Sequence, residues 1–243
     1  MNDIFNTDVP LKTETTAFAK HVLPAVPLSE VYLEDCVTAL KRYADNHFDL
    51  AIVDPPYGLG IDGQKLNNTN KNPKHNRKAH SFKGWDNAIP NAEYFSELKR
   101  VSKNQIVWGG NYFPFLWQNG CKGFVFWYKG NPVPNFADGE LAYTSFNKVA
   151  KCFDFQYYGG LEGNTKASTK IHPTQKPVKL YQWLLHNYSE KGQKILDTHL
   201  GSGSIAVAAH YFGVDLVGVE IDEEYYNKAK ERVNELTKQT TMF

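Results

Sequence analysis

Residues 194–238 constrain the fold most. Lys194-Ile195-Leu196-Asp197 reads as a strand, Leu200-Gly201-Ser202-Gly203 as a turn and Ser204 to Phe212 as a helix. Asp215–Val219 follows as a second strand, and Glu223 to about Lys238 as a closing helix. Glycines between strand and helix let the backbone approach a ligand, and the helix start presents N–H groups without helical partners. The second strand runs into Glu220, which lies 19 residues beyond Gly201 (220 − 201). An acid at that spacing is placed to accept ribose hydroxyls. The third position after Gly203 is Ala206, so the dinucleotide pattern G-x-G-x-x-G is incomplete. Alternation of this kind predicts an α/β fold with a doubly wound, mostly parallel sheet.

Upstream, Phe48 to Val53 is an apolar run that ends at Asp54-Pro55-Pro56-Tyr57 and Gly58-Leu59-Gly60. Such a run, closed by a turn signal, reads as a buried parallel strand. The tetrapeptide then stands at the strand's C-terminal end, where open α/β sheets place ligands. Two prolines fix two φ angles and supply carbonyls without N–H donors. A carboxylate, a rigid carbonyl and an aromatic ring in one small volume suit a planar ring bearing an amino group.

Further elements are expected at Val31-Tyr32-Leu33 (strand), Val37 to Ala44 (helix), Glu93 to Val101 (helix), Gln105–Trp108 (strand) and Phe124–Tyr128 (strand). Leu141–Phe146 and Phe153–Tyr158 read as shorter strands with no long helix between them, which favours antiparallel pairing. Pro177 to Tyr188 reads as a helix with proline at its start. The organisation expected is an arm over 1–28 and one domain over 29–243. That domain contains a basic loop at 61–84 and a candidate target-recognition segment at 129–170.

With 243 residues and a net charge of +1, the chain carries no global basic field, so any nucleic-acid contact must come from a local patch. The loop at 61–84 supplies one: Lys65, Lys71, Lys74, Arg77, Lys78 and Lys83 against a single acid, Asp62. Lys71, Lys74, Arg77 and Lys78 are the candidate DNA-binding residues. Cys36, Cys121 and Cys152 form neither a metal spacing nor a paired framework, so no metal is expected and a reducing cytoplasm is. No stretch approaches the roughly 20 apolar residues of a membrane span, so no membrane partner is expected.

Asp54-Pro55-Pro56-Tyr57 resembles the catalytic motif of amino-group DNA methyltransferases, which methylate adenine N6 or cytosine N4. Asp197-Thr198-His199-Leu200-Gly201-Ser202-Gly203-Ser204, with Glu220-Ile221-Asp222, looks like their S-adenosylmethionine site. His172-Pro173-Thr174-Gln175-Lys176-Pro177 looks like the segment that closes over the methionine end of that cofactor, with Lys176 facing a carboxylate. The catalytic turn precedes the glycine turn, as if the sheet were circularly permuted, and this order resembles the permuted β class. Trp108-Gly109-Gly110-Asn111-Tyr112-Phe113 and Asn135 to Ala142 look like a small phage or restriction-type subgroup. The resemblance runs from about Val31 to about Val233.

The resemblance implies a permuted, seven-stranded-type methyltransferase fold. It implies catalysis by Asp54, Pro55, Pro56 and Tyr57 on a base flipped out of duplex DNA. Adenine is implied ahead of cytosine because the motif begins with Asp. Cofactor contacts are implied for His172, Lys176, Asp197, His199, Leu200, Gly201, Ser202, Gly203, Ser204, Glu220 and Ile221. Asp35 reads either as a helix cap or as a neighbour of the cofactor adenine. The resemblance also allows a homodimer and a cognate restriction endonuclease as partners, in the cytoplasm of a bacterial or phage-infected cell. An RNA or protein-amide methyltransferase, or a silent nucleic-acid-binding module, stay open as alternatives. One departure stands out: the family commonly has Pro-Phe where this chain has Thr198-His199, which implies weaker or pH-dependent cofactor binding.

Overall fold

The computed structural model describes residues 29–61, 83–131, 134, 137–157, 161–162, 165–166 and 170–238. Its strands are β1 (Ser29–Leu33), β2 (Leu50–Val53), β3 (Gln105–Trp108), β4 (Phe124–Tyr128), β5 (Gly139–Thr144), β6 (Lys151–Asp154), β7 (Leu161–Glu162), β8 (Thr165–Lys166), β9 (Lys194–Asp197) and β10 (Asp215–Glu220). The helices are α1 (Cys36–Leu40), α2 (Ala92–Val101), α3 (Val178–Tyr188), α4 (Ser204–Phe212) and α5 (Glu223–Thr237).

Eight strands form one sheet in the order β1-β10-β9-β2-β3-β5-β4-β6, and β7-β8 form a separate hairpin. From β1 to β3 every pairing is parallel. β5 runs antiparallel to both β3 and β4. β6 lies parallel to β4, which corrects the antiparallel expectation for that segment. It makes the sheet one strand wider than the seven-stranded type.

The sequence of β2 explains its place. Leu50, Ala51, Ile52 and Val53 are all fully buried, as a strand covered on both faces requires. Leu50 and Ile52 point into a core shared with Leu180 and Leu184 of α3, Ile205 and Ala208 of α4, and Tyr226 and Ala229 of α5. Ala51 and Val53 point into a second core with Leu40, and with Tyr94, Phe95 and Leu98 of α2. The period-2 alternation of the strand therefore divides between two helical layers.

α1 stops at Leu40, short of the expected Ala44, and the chain turns at Asn46 with φ +57°. Tyr43 leaves the helix to pack edge-on against Phe48. Of the segment 129–170, β5 and β6 belong to the main sheet, and β7 and β8 pair with each other outside it. The arm 1–28 and residues 62–82 of the basic loop lie outside the described residues.

Candidate active site

The sheet changes its direction of growth between β2 and β9. β2 continues through α2 to β3 on one side, and β9 through α4 to β10 on the other. The crevice at such a switch point is where open α/β sheets hold ligands. Asp54 follows β2 into this crevice, and Thr198 follows β9 beside it.

In the catalytic turn the Tyr57 hydroxyl donates to Asp54 Oδ1 at 2.5 Å. The Lys176 ammonium pairs with Asp54 Oδ2, and it also lies 3.2 Å from Glu140 Oε2. Lys129 pairs with the other Glu140 oxygen. Two ammonium groups and two carboxylates thus form one cluster, with Lys176 buried and the other three half-buried. Burial opposes charge on Lys176, but Asp54 and Glu140 outweigh it and hold its pKa above the ordinary lysine value. Burial likewise opposes charge on Glu140, and the Lys176 and Lys129 charges hold its pKa down at about 2.

Tyr57 stacks on Tyr112 at 4.9 Å and 18°, and meets Phe113 edge-on. This seat depends on glycine. Gly109 has φ +67°, and a Cβ there would come within 2.1 Å of the Tyr57 ring. Burial, then the nearby Asp54 charge, push the Tyr57 hydroxyl well above its usual range, so it stays a donor.

Asp86 holds the backbone of the turn. Its Oδ1 accepts from Tyr57 N at 2.8 Å and Gly58 N at 2.9 Å, and its Oδ2 from Ile61 N at 2.9 Å. Its own carbonyl accepts from Gly60 N at 3.0 Å. Asp86 is buried, and these bonds close both ends of a glycine-rich loop on one carboxylate.

Across the crevice, Glu220 closes the other half of the site. Its Oε2 accepts from Gly201 N at 2.8 Å and its Oε1 from Asp222 N at 2.9 Å. Each oxygen keeps a further lone pair. Burial raises the Glu220 pKa, opposed by these backbone donors. Ile221, the next residue, is 66% exposed, an apolar side chain open to solvent beside a buried acid. Arg232 of α5 donates to Ser202 O at 2.8 Å and Ser204 Oγ at 3.1 Å, which ties the glycine turn down. Gly203 sits at φ +70°, and a Cβ there would meet Val233 at 2.9 Å. Only glycine fits between α5 and this turn.

Thr198 and His199 form a small polar chain in this site. Tyr94 Oη and Thr198 Oγ1 lie 2.7 Å apart, and Thr198 Oγ1 and His199 Nδ1 lie 2.9 Å apart. Burial lowers the His199 pKa to about 4, so the ring is neutral at physiological pH. Asp197 accepts from His199 N at 3.0 Å, and burial still pushes its carboxyl up to about 8. His172 faces Gly201, where a Cβ would meet its ring at 3.7 Å. Its ring also packs with Trp85 and Tyr225. Lys83 donates to both Asp222 oxygens and pairs with Glu224. The far end of the basic loop is thereby anchored next to Glu220.

Comparisons with known proteins find DNA methyltransferases. A family model described as DNA methylase, for N6 and N4 methyltransferases, matches residues 126–231. The type II methyltransferase M2.MboI of Moraxella bovis is 26% identical over 85% of this chain and 88% of its own length. The type II methyltransferase M.HinfI of Haemophilus influenzae is 26% identical over 86% of this chain and 69% of its own. Among solved structures, the M1.HpyAVI–SAM complex aligns with a TM-score of 0.56 at 21% identity, over 83% of this chain and 98% of that one. The chain is similar to DNA amino-methyltransferases over most of its length.

Most residues singled out from sequence stand on the two lips of the crevice. Asp54, Pro55, Pro56 and Tyr57 stand on one lip of the crevice, and Asp197 to Ser204, Glu220 and Ile221 on the other. His172 bridges towards Gly201. Lys176 faces carboxylates, as its segment led one to expect, and they are Asp54 and Glu140, because a buried ammonium settles where two carboxylates can neutralise it. Asp35 is the N-cap of α1, accepting from Thr38 N at 2.9 Å, with its side chain engaged locally. Lys71, Lys74, Arg77 and Lys78 lie outside the described residues. Asp86, Glu140, Lys129, Tyr94 and Arg232 were not singled out from sequence. Of these, Asp86 follows Trp85 where the long polar loop ends, and Glu140 lies within the Asn135 to Ala142 stretch noted from sequence.

Proposed function

We propose that this protein is an S-adenosylmethionine-dependent, site-specific DNA methyltransferase acting on adenine N6 of a flipped-out base. The observation that carries the reading is the pairing across one crevice: Asp54 with Tyr57 on one lip, Gly201 with Glu220 on the other. The chain fits the cofactor by the chemistry of its groups. Glu220 offers acceptor capacity suited to a diol, Ile221 an exposed apolar surface for a ring, and the Gly201–Gly203 turn close backbone approach. Glu220, Ile221, the glycine turn, Leu200, Asp197, His199 and His172 would hold it. When bound, S-adenosylmethionine supplies an electrophilic methyl group on a sulfonium.

The protein's own residues prepare the amine. An exocyclic amine is a poor nucleophile while its lone pair is delocalised into the ring. Asp54 and the Pro55 carbonyl accept its two hydrogens and draw the lone pair out of conjugation. Tyr57 orients the base by stacking, and Tyr112, already on that ring, is displaced or joined by it. The rest is positioning, for which the Asp86 clamp fixes the turn. A stacked base cannot reach this crevice, so it is flipped out at a cost of a few kcal/mol. Basic residues of the loop 61–84 offset this through phosphate contacts, and the segment 129–170, which includes the β7-β8 pair, reads the target. A homodimer and a cognate restriction endonuclease are proposed partners, and the cytoplasm the proposed compartment. Among the described residues no helix is long and apolar enough to cross a membrane.

The test is tritiated methyl transfer to unmethylated bacterial DNA with nucleoside analysis, beside Asp54→Ala. Label in N6-methyladenine that the variant abolishes supports the proposal. Label in N4-methylcytosine overturns the base assignment alone. Label only in RNA or protein overturns the substrate class.

A further inference from the structure

Both oxygens of Asp54 are taken in the resting protein, Oδ1 by the Tyr57 hydroxyl and Oδ2 by Lys176. A target amine can use this carboxylate only if a donor leaves. Lys176 is the donor with a second seat. Its ammonium is 3.2 Å from Glu140 Oε2, within ion-pair range. That oxygen is buried and has no hydrogen-bond partner among the described residues. Lys129 holds the opposite oxygen, so the free one stays aimed at Lys176. The Lys176 side chain is only 3% exposed and lies 5.3 Å from the centre of the Trp108 ring, so water offers it no alternative. Stranding a buried ammonium is expensive, whereas moving it between two carboxylates keeps it paired throughout.

We propose that Glu140 is a positioning residue: it receives Lys176 from Asp54 and so clears the carboxylate for the incoming amine. The proposal rests on the methyltransferase reading for its purpose, but the movement itself is a property of the free protein. Four charges that sum to zero make the exchange balanced, since two ammoniums and two carboxylates face each other before and after it. Alignment of Lys176 on Oε2 needs a shift of only about half an ångström, to the distance usual for a charged pair. Glu140 lies at the start of β5 and Lys129 just beyond β4, in the segment that follows the central strands. The second seat is therefore built by the part of the chain inserted between the two halves of the site.

Two measurements test this. The first is a crystal structure of Asp54→Asn. Lys176 Nζ is expected hydrogen-bonded to Glu140 Oε2, at about 2.8 Å. Lys176 remaining on residue 54, or turning away from Glu140, overturns the proposal. The second is a double-mutant cycle on methyl transfer with Glu140→Gln and Lys176→Met. Glu140→Gln is expected to lower kcat roughly tenfold or more while leaving the KM for the cofactor unchanged, and to have no further effect once Lys176 is Met. An equal loss in both backgrounds, or a loss confined to KM, overturns it. If Lys176 moves onto Glu140 in Asp54→Asn while the wild type labels no DNA, the inference holds and the functional reading fails. If the wild type labels DNA and Lys176 stays, the inference alone fails.

Discussion

Replacing Asp86 is the sharpest test of how the site is held. Its carboxylate accepts three backbone N–H bonds, at 2.8, 2.9 and 2.9 Å, all from the turn that follows Asp54. A bond to a charged acceptor contributes about 1.5–3 kcal/mol, but Gly58 is exposed and Tyr57 and Ile61 only half-buried, so water recovers part of each loss. Asp86→Ala should then cost about 3 kcal/mol in all, roughly a 6–12 °C fall in Tm for a chain of this size. Asp86→Asn keeps an oxygen for Tyr57 and Gly58 but turns a donor towards Ile61 N, and should cost about 1–2 kcal/mol. Activity should fall further than stability. A turn displaced by about 1 Å misplaces Asp54 and Tyr57 together, which costs on the order of 100-fold in kcat. Cofactor affinity should change little, because Gly201 and Glu220 pair with each other and not with Asp86. Thermal unfolding, cofactor titration and kcat on one DNA substrate measure the three. Wild-type stability and kcat in Asp86→Ala would refute the clamp, and an equal loss of cofactor affinity would refute its separation from the other lip.

Three further outcomes follow from the same geometry. His199 has a folded pKa of about 4, below the ordinary value of 6.5, so the unfolded chain binds the extra proton and wild-type stability falls as pH drops from about 6.5 towards 4. His199→Phe removes that dependence. It should lose about 1 kcal/mol at pH 7 with the Thr198 bond, and gain on the wild type as pH falls, as denaturant midpoints at pH 7 and pH 5 will register. Gly203→Ala must hold an alanine at φ +70° with its Cβ 2.9 Å from Val233, and should lose about 2–3 kcal/mol by urea unfolding. Changing Lys71, Lys74, Arg77 and Lys78 together to Ala should weaken DNA binding at low salt and flatten its salt dependence, by up to about 0.9 in log–log slope per lost phosphate contact. Unchanged binding at low salt would take the loop out of the interface.

The sequence disclosed what local chemistry decides. The bounds of α4 match the expected Ser204 to Phe212, and β2 follows from a run whose four central side chains are all buried. Glycine turns and terminal acids mark both lips of the crevice because their spacing is itself the chemical requirement. Partners brought together by the fold left no such mark. Lys176 meets Asp54 across 122 residues, and Asp86 meets Tyr57 across 29. The parallel course of β6 and the early end of α1 were also hidden. The first depends on how the chain crosses the sheet, and the second on Tyr43 preferring Phe48 to another helical turn.

The resting site is satisfied from within, and this determines what ligand binding means here. Asp54 carries Tyr57 and Lys176, Glu220 carries Gly201 and Asp222, and Tyr57 carries Tyr112. These three side chains already have partners in the free protein, which limits what the crevice costs it in stability. Each ligand group must then exchange with an internal partner or share its acceptor. Asp54→Ala makes the consequence measurable, because it removes one carboxylate and leaves Lys176 with Glu140 as its remaining anion. If exchange is the rule, Asp54→Ala abolishes methyl transfer but lowers Tm by only a few degrees, since Glu140 takes over the ammonium. A collapse of the fold, as expected for a buried ammonium left without a partner, would show instead that Asp54 is the structural counter-ion of Lys176 and that the two cannot be separated.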